Sequence, residues 1–310
     1  MVGLPTVSRV RTLLLFALVT LIFGTAFPAV KGGLDFFPPL LFASMRNYFA
    51  GLLLLAYVGA TMAYRVPVSR ADWRAVIAGG AFLVGGIGFG FVGQQFITSG
   101  VAAIIFSLSP IVIALLAWVL LPAERLVGRD YVGVLLGFLG VAIIVRPDPA
   151  ALLDPTLAGK LLVFTAVSVV ALGTVLVRRS DPDMPIPALT GWAMLIGATI
   201  QFGVALAIGE SVAAIEVTPL ALVTIGYLGV FVGAIGFVAY LTLIGTVGAL
   251  KANLTTYLTP VVALVVGWVT LGEAVQPLTL VGFGVIAAGF AVLQRRELYA
   301  ELASYRGLAR

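Results

Sequence analysis

Apolar runs of helix length, divided by short polar stretches, recur ten times along this chain, at about 13–30, 40–63, 73–93, 98–120, 131–145, 159–177, 188–208, 220–244, 251–271 and 278–293. Crossing ~30 Å of hydrocarbon takes about 20 apolar residues in a helix, so each run predicts a membrane span. Two of them carry a proline near the middle. Pro110 lies near the middle of GVAAIIFSLSPIVIALLAW, and Pro260 lies in GALKANLTTYLTPVVALVVGW. A proline there removes one backbone donor and displaces the carbonyl four residues back, for Pro110 that of Phe106, so the helix bends or breaks. Hydrocarbon offers the freed carbonyl no partner, and such backbone belongs against protein or a water-filled cavity.

The two prolines also expose a repeat. At an offset of 149, Gly24-Thr25 falls on Gly173-Thr174, Gly80 on Gly229, Phe82 on Phe231, Glu124 on Glu273, Gly133 on Gly282 and Gly140 on Gly289. Pro110 and Trp118 meet Pro260 and Trp268 at 150. These matches predict a duplicated five-helix unit. Because five is odd, the second copy enters the membrane from the opposite face, giving an all-α membrane protein with ten transmembrane helices in a 5+5 inverted-topology repeat. The expected division is a first repeat at 1–146, a proline-rich connector at 147–156, a second repeat at 157–296 and a tail at 297–310. Paired interrupted helices of this kind mark a transporter's binding site near the midplane.

Composition agrees with this architecture: 61% of the 310 residues are hydrophobic and 10% charged. The net charge of +5 points to topology rather than to nucleic acid. With ten spans, fourteen basic residues fall on the side that holds both termini (Arg9, Arg11, Arg65, Arg70, Arg74, Arg125, Arg129, Arg178, Arg179, Lys251, Arg295, Arg296, Arg306 and Arg310). The other side receives three, Lys31, Arg146 and Lys160; with Arg46 inside a span these account for all 18. The positive-inside rule then puts both termini in the cytoplasm, for a multi-pass protein of the cell membrane. Arg9 and Arg11 before an apolar run could pass for a secretory signal, but the run continues to Lys31 and has an internal counterpart, so it reads as the first span.

Several function classes are excluded. There is no cysteine and no histidine, hence no thiolate or imidazole metal site, no disulfide, no HExxH and no catalytic triad. No pair of aspartates lies in a span to hold magnesium. Neither enzymatic activity nor a cofactor is expected. Gly88, Gly90 and Gly93 match the dinucleotide fingerprint literally, but within an apolar helix rather than between a strand and a helix. The repeated GxxxG spacings, Gly86/Gly90, Gly133/Gly137 and Gly229/Gly233, predict close helix packing.

A pocket must then be built from sparse material. Arg46 is the charge deepest within a predicted span, where insertion costs roughly 2.5–3.5 kcal/mol; it either snorkels and serves structure or meets substrate, for which a carboxylate is the natural partner. All 13 acids fall in loops or at span ends, so no membrane-embedded proton relay is expected and transport runs down a gradient or couples to something else. The other candidates are Thr25 and Phe27 in the first span, Gln94 and Gln95 ending the third, Ser107 and Ser109 beside Pro110, Trp192, Tyr240, and Asn253, Thr256 and Tyr257 before Pro260. Pro110 and Pro260 would be hinges lining the cavity.

FGTAFPAVKGGL at 23–34, the span around Arg46, the SPIVIALLAW and TPVVALVVGW helices, and LGE at 271–273 before a glycine-rich last span together resemble the drug/metabolite transporter superfamily, in particular its EamA family. The resemblance implies ten helices, a central cavity shared by two repeats, and often export of amino acids or other small metabolites by alternating access. The first copy has Pro122-Ala123-Glu124 in place of LGE. Alternatives within this architecture are a nucleotide-sugar or organophosphate exchanger, which needs several cavity cations, and a lipid flippase or scramblase. The solute, the direction, the coupling ion and the oligomeric state are not encoded legibly.

Overall fold

The computed structural model describes residues 9–121, 128–146 and 154–295, which fold into ten helices. These are α1 (Arg9–Gly33), α2 (Pro39–Thr61), α3 (Arg70–Gln94), α4 (Ser99–Leu120), α5 (Arg129–Val145), α6 (Pro155–Ser180), α7 (Ile186–Ala207), α8 (Pro219–Gly248), α9 (Thr255–Leu271) and α10 (Pro277–Leu293). Seven are long and apolar enough to cross a membrane outright. The other three, α5, α9 and α10, have 17 residues each, about 25 Å of helix at 1.5 Å per residue. Helices α2, α6, α7, α8 and α10 open on a proline in the first turn, where a missing amide hydrogen costs nothing. A capping box between Ser69 and Asp72 starts α3.

Helix α(n) corresponds to α(n+5), and most of the major packing obeys that correspondence. Two of the most extensive contacts join a helix to its own counterpart, α5 to α10 and α2 to α7. The remaining major contacts come in mirrored pairs: α1 on α9 with α6 on α4, α3 on α6 with α8 on α1, and α3 on α7 with α8 on α2. Both third-position helices contain a π-helical stretch at matching places, Gly79–Val84 in α3 and Tyr227–Ile235 in α8. Trp118 near the end of α4 and Trp268 near the end of α9 are both exposed, and successive spans put them at opposite ends of the bundle, as aromatic anchors at two membrane interfaces would be.

Glycine makes the closest crossings, as the GxxxG spacings predict. Gly86 receives Val169 of α6, Gly229 receives the ring of Phe49, and Gly233 receives Ala50 of α2. One buried core runs along α4, α5, α6 and α10; a second, around Phe42, Phe91, Leu228 and Val232, joins α1, α2, α3 and α8. Large apolar side chains such as Leu135, Val204 and Val265 cover the outside, where lipid is the solvent.

The two helices with a proline near the middle differ. At Pro110 the helical ladder breaks over Ser107 and Leu108, and Ser109 donates its hydroxyl to the Phe106 carbonyl at 2.6 Å, satisfying the group the proline displaced. At Pro260 the equivalent break is shifted. Helix α9 runs unbroken through the buried Pro260, and the interruption lies earlier, at Gly248 (φ 82°) and Leu254. Glycine alone takes that positive φ without strain, so the bend settles there rather than at the proline.

Candidate functional site

Helix α1 lies at the centre of the candidate site and touches α9, α8, α4 and α3. Gly24 lets it approach α9 so closely that a Cβ would sit 2.4 Å from Val262. One residue on, the Thr25 hydroxyl donates to the Leu21 carbonyl at 2.5 Å and meets the Tyr227 hydroxyl of α8, also at 2.5 Å. Since the threonine proton is committed to the carbonyl, the tyrosine is the donor of that pair. Phe27 packs edge-on against Phe106 (centroids 5.5 Å apart) and Phe23 against Tyr240 (5.9 Å). Thr25, Phe27 and Tyr240 are thus gathered along α1 and its neighbours.

Arg46 comes from the adjacent α2. It shares a helical face with Ala43 and Ala50, both fully buried, and Ala50 fills the space above Gly233 of α8. The arginine therefore faces protein. Its Nε is buried without a hydrogen-bond partner, and no carboxylate pairs with it among the described residues. The next residue is fully engaged: Asn47 donates to Gln201 Oε1 at 2.9 Å, and Gln201 donates to the Val84 carbonyl at 2.9 Å, where the π-helical stretch of α3 ends.

Depth can be counted along the helices from their common end, opposite the start of α1. At 1.5 Å per residue, Thr25 before Gly33, Arg46 after Pro39, Ser107 after Ser99 and Tyr227 after Pro219 all lie about 10–12 Å in. A polar layer drawn from α1, α2, α4 and α8 occupies one level of the bundle. Ser107 is buried within it and donates to the Ile104 carbonyl at 2.6 Å.

Not every candidate joins this layer. Gln94 and Gln95 end α3 at the far face, where their carbonyls accept from Lys31 Nζ at 2.6 and 3.1 Å; Gln94 Oε1 is buried and unpaired. Tyr257 belongs to the other core, its ring 4.3 Å from that of Phe290 and its hydroxyl buried without a partner. Trp192 donates to the Arg65 carbonyl at 2.9 Å near the face where α1 begins, away from α1 itself. Thr256 is half-buried in the first turn of α9. The Asn253 side chain and the Pro122-Ala123-Glu124 segment lie outside the described residues.

Sequence reasoning missed the contacts of Tyr227, Lys31 and the two carboxylates that cap helices at the far face. Gly272 ends α9 with φ 64° and turns Glu273 back across the bundle, where it accepts from Ser99 N (2.8 Å) and Ser99 Oγ (2.6 Å) at the start of α4. Glu210, after α7, accepts from Leu40 N and Leu41 N at 3.0 and 2.8 Å at the start of α2. Each carboxylate thus occupies the positive end of a helix from another part of the bundle. Lys31 and Lys160 do the converse at helix C-termini, Lys160 reaching the Val145 carbonyl at 3.4 Å. On the opposite face, Arg295 pairs with Asp130 at 2.9 Å, and Tyr64 donates to Asp72, which raises the phenol above its ordinary pKa. No cluster of three or more acidic side chains able to hold a metal occurs among the described residues.

A model of the EamA-like transporter family matches residues 10–146 and 157–295. The uncharacterized transporter YvbV of Bacillus subtilis is 28% identical over 277 residues, covering 88% of this chain and 87% of that one. The inner membrane transporter YedA of Escherichia coli is 28% identical over 289 residues (90% and 88%). A probable terminal-alkyne amino-acid exporter of Streptantibioticus cattleyicolor is 28% identical over 295 residues (91% and 92%). A solved crystal structure superimposes with a TM-score of 0.63 at 20% identity, covering 92% of this chain and 98% of that one, a likeness of fold. With ten helices in two interlocked halves and a family match over nearly its whole length, the chain is a multi-pass membrane transporter and belongs to the EamA-like family of the drug/metabolite transporter superfamily.

Proposed function

We propose that this transporter moves a small carboxylate-bearing solute of the amino-acid type by alternating access, and that Arg46 receives the carboxylate. The observation that carries this reading is the unpaired guanidinium Nε of Arg46, held toward protein at the level of Thr25 and Tyr227. A buried cation without a counter-ion is costly, and a carboxylate on the solute would relieve that cost each time the site fills. One interior arginine suits one carboxylate; a diphosphate would call for more positive charge. The likeness to the probable amino-acid exporter of Streptantibioticus cattleyicolor supports the same solute class.

The domain division into repeats at 1–146 and 157–296 with a connector between them is favoured by the two matched stretches. Rocking of one repeat on the other would use the glycine-lined crossings and the breaks near Pro110 and Gly248. The excess of arginine on the face where α1 begins favours cytoplasmic termini. Because no carboxylate lies in the middle of a span among the described residues, transport should not require a proton gradient.

The test is uptake by proteoliposomes of labelled amino acids beside the amines that lack their carboxyl group, with and without a collapsed pH gradient. Amino acids should be taken up and the amines not. Arg46→Gln should raise KM at least tenfold, the loss of a charged hydrogen bond worth roughly 1.5–3 kcal/mol, while Arg46→Lys falls between. Equal transport of the amines, or an unchanged KM in a folded Arg46→Gln protein, overturns the reading.

A further inference from the structure

On the outer surface, near the face where α1 begins, α3 and α6 enclose a cleft of about 450 Å³ that the transport path does not use. Arg74 of α3 and Arg179 and Ser180 of α6 line its mouth; Ile77, Phe82 and Leu176 line its floor. The two arginines are exposed and neither has an acidic partner among the described residues. The acid nearest Arg74 in sequence, Asp72, is buried with its Oδ2 occupied by Tyr64 and by the amides of Val68 and Ser69, and the one nearest Arg179, Asp181, is exposed just beyond the end of α6.

We infer that this cleft binds the headgroup of one anionic phospholipid, with an acyl chain laid along Ile77, Phe82 and Leu176. The charge is complementary: two guanidinium groups line one cleft, and each can bond two phosphate oxygens in parallel. The depth is also appropriate. Trp73, beside Arg74, is 46% exposed and marks the headgroup level by the usual preference of tryptophan. Phe82 lies eight residues further along α3, about 12 Å deeper, where an acyl chain and not water is the solvent. Ile77 and Phe82 are 52% and 37% exposed, an apolar face that lipid would cover. The π-helical stretch Gly79–Val84 shapes the cleft, since the extra residue per turn re-aims the side chains around Phe82. Basic pockets between spans on the cytoplasmic side are suited to such lipids, each arginine contributing about a five-fold gain in affinity.

The experiment is native mass spectrometry and thermal unfolding of the full chain in nanodiscs of phosphatidylcholine alone or with phosphatidylglycerol. The wild type should retain one phosphatidylglycerol and unfold at a higher temperature in its presence. Arg179→Gln should weaken retention about five-fold and the Arg74→Gln/Arg179→Gln pair about 25-fold, whereas Arg129→Gln, on the same face but outside the cleft, should not. Inorganic phosphate should neither stabilise the protein nor displace the lipid. Equal retention by the double variant, equal loss in Arg129→Gln, or full replacement by inorganic phosphate overturns the inference.

Discussion

Gly133 of α5 and Gly289 of α10 cross backbone to backbone: a Cβ on Gly133 would lie 2.7 Å from the Gly289 carbonyl, and one on Gly289 would lie 2.6 Å from the Gly133 carbonyl. Gly140 and Gly282 make the same contact about two turns away, at 2.6 and 2.8 Å. Moving Gly133 and Gly289 by 149 residues, one forward and one back, gives Gly282 and Gly140, so the two contacts exchange under the repeat relation. Such exchange is what a twofold axis through the crossing requires.

Any side chain at these positions must push two helices apart. Gly140→Ala should lower stability by about 1–3 kcal/mol, the usual cost of overpacking. Gly284→Ala, in the partner helix α10 but with open space around its Cα, should be close to neutral. Thermal midpoints in detergent compare the two, and equal midpoints would count against a tight α5 and α10 crossing.

The hydroxyl of Ser109 substitutes for the amide hydrogen that Pro110 lacks. Ser109→Ala should therefore cost about 1–3 kcal/mol by leaving the Phe106 carbonyl unsatisfied in an apolar setting. In a Pro110→Ala background an amide is restored near that carbonyl, and the same substitution should cost much less. The two residues form a double-mutant cycle whose coupling is read from unfolding midpoints; additive effects would separate them.

The ten spans were legible because each needs a long apolar run, and the repeat because glycines and prolines at fixed spacing survive in both copies. Helix ends were less so. Helix α6 starts at Pro155 and ends at Ser180, beyond the apolar run at 159–177, because its caps are polar. Thr25 could be found from its local pattern, but Tyr227, its partner 202 residues away, looked like any tyrosine in an apolar helix. Glu273 was visible as a loop acid, as the repeat counterpart of Glu124 and in the LGE at 271–273, but not as a helix cap. Its role depends on Ser99, 174 residues earlier, and no local pattern carries that pairing.

The absence of cysteine allows orientation to be read from single introduced thiols. Ala63, exposed after α2, and Ala213, exposed between α7 and α8, lie on opposite faces. With cytoplasmic termini, Ala213→Cys should react with an impermeant maleimide in intact cells and Ala63→Cys only after permeabilisation. The reverse pattern would invert the proposed orientation.

The bond between Glu273 and Ser99 ties the turn after α9 to the start of α4 at the far face, and Gly267 makes room for it. A Cβ at Gly267 would lie 2.4 Å from Glu273 Oε2 and 2.6 Å from Ser99 Oγ, so a methyl group there occupies the space of the hydrogen bond. Glu273→Ala removes the acceptor and Gly267→Ala displaces it; both should loosen α4 from the turn after α9. A thiol at Phe27, half-buried below that face, should then react faster with the impermeant reagent in either background than in an otherwise unchanged protein. Glu273→Gln keeps an acceptor oxygen for Ser99 but gives up the charge at the start of α4, and should fall between the two. Labelling rates unaffected by Glu273→Ala would mean that other contacts, with Glu210 and Lys31 foremost, keep the face shut without it.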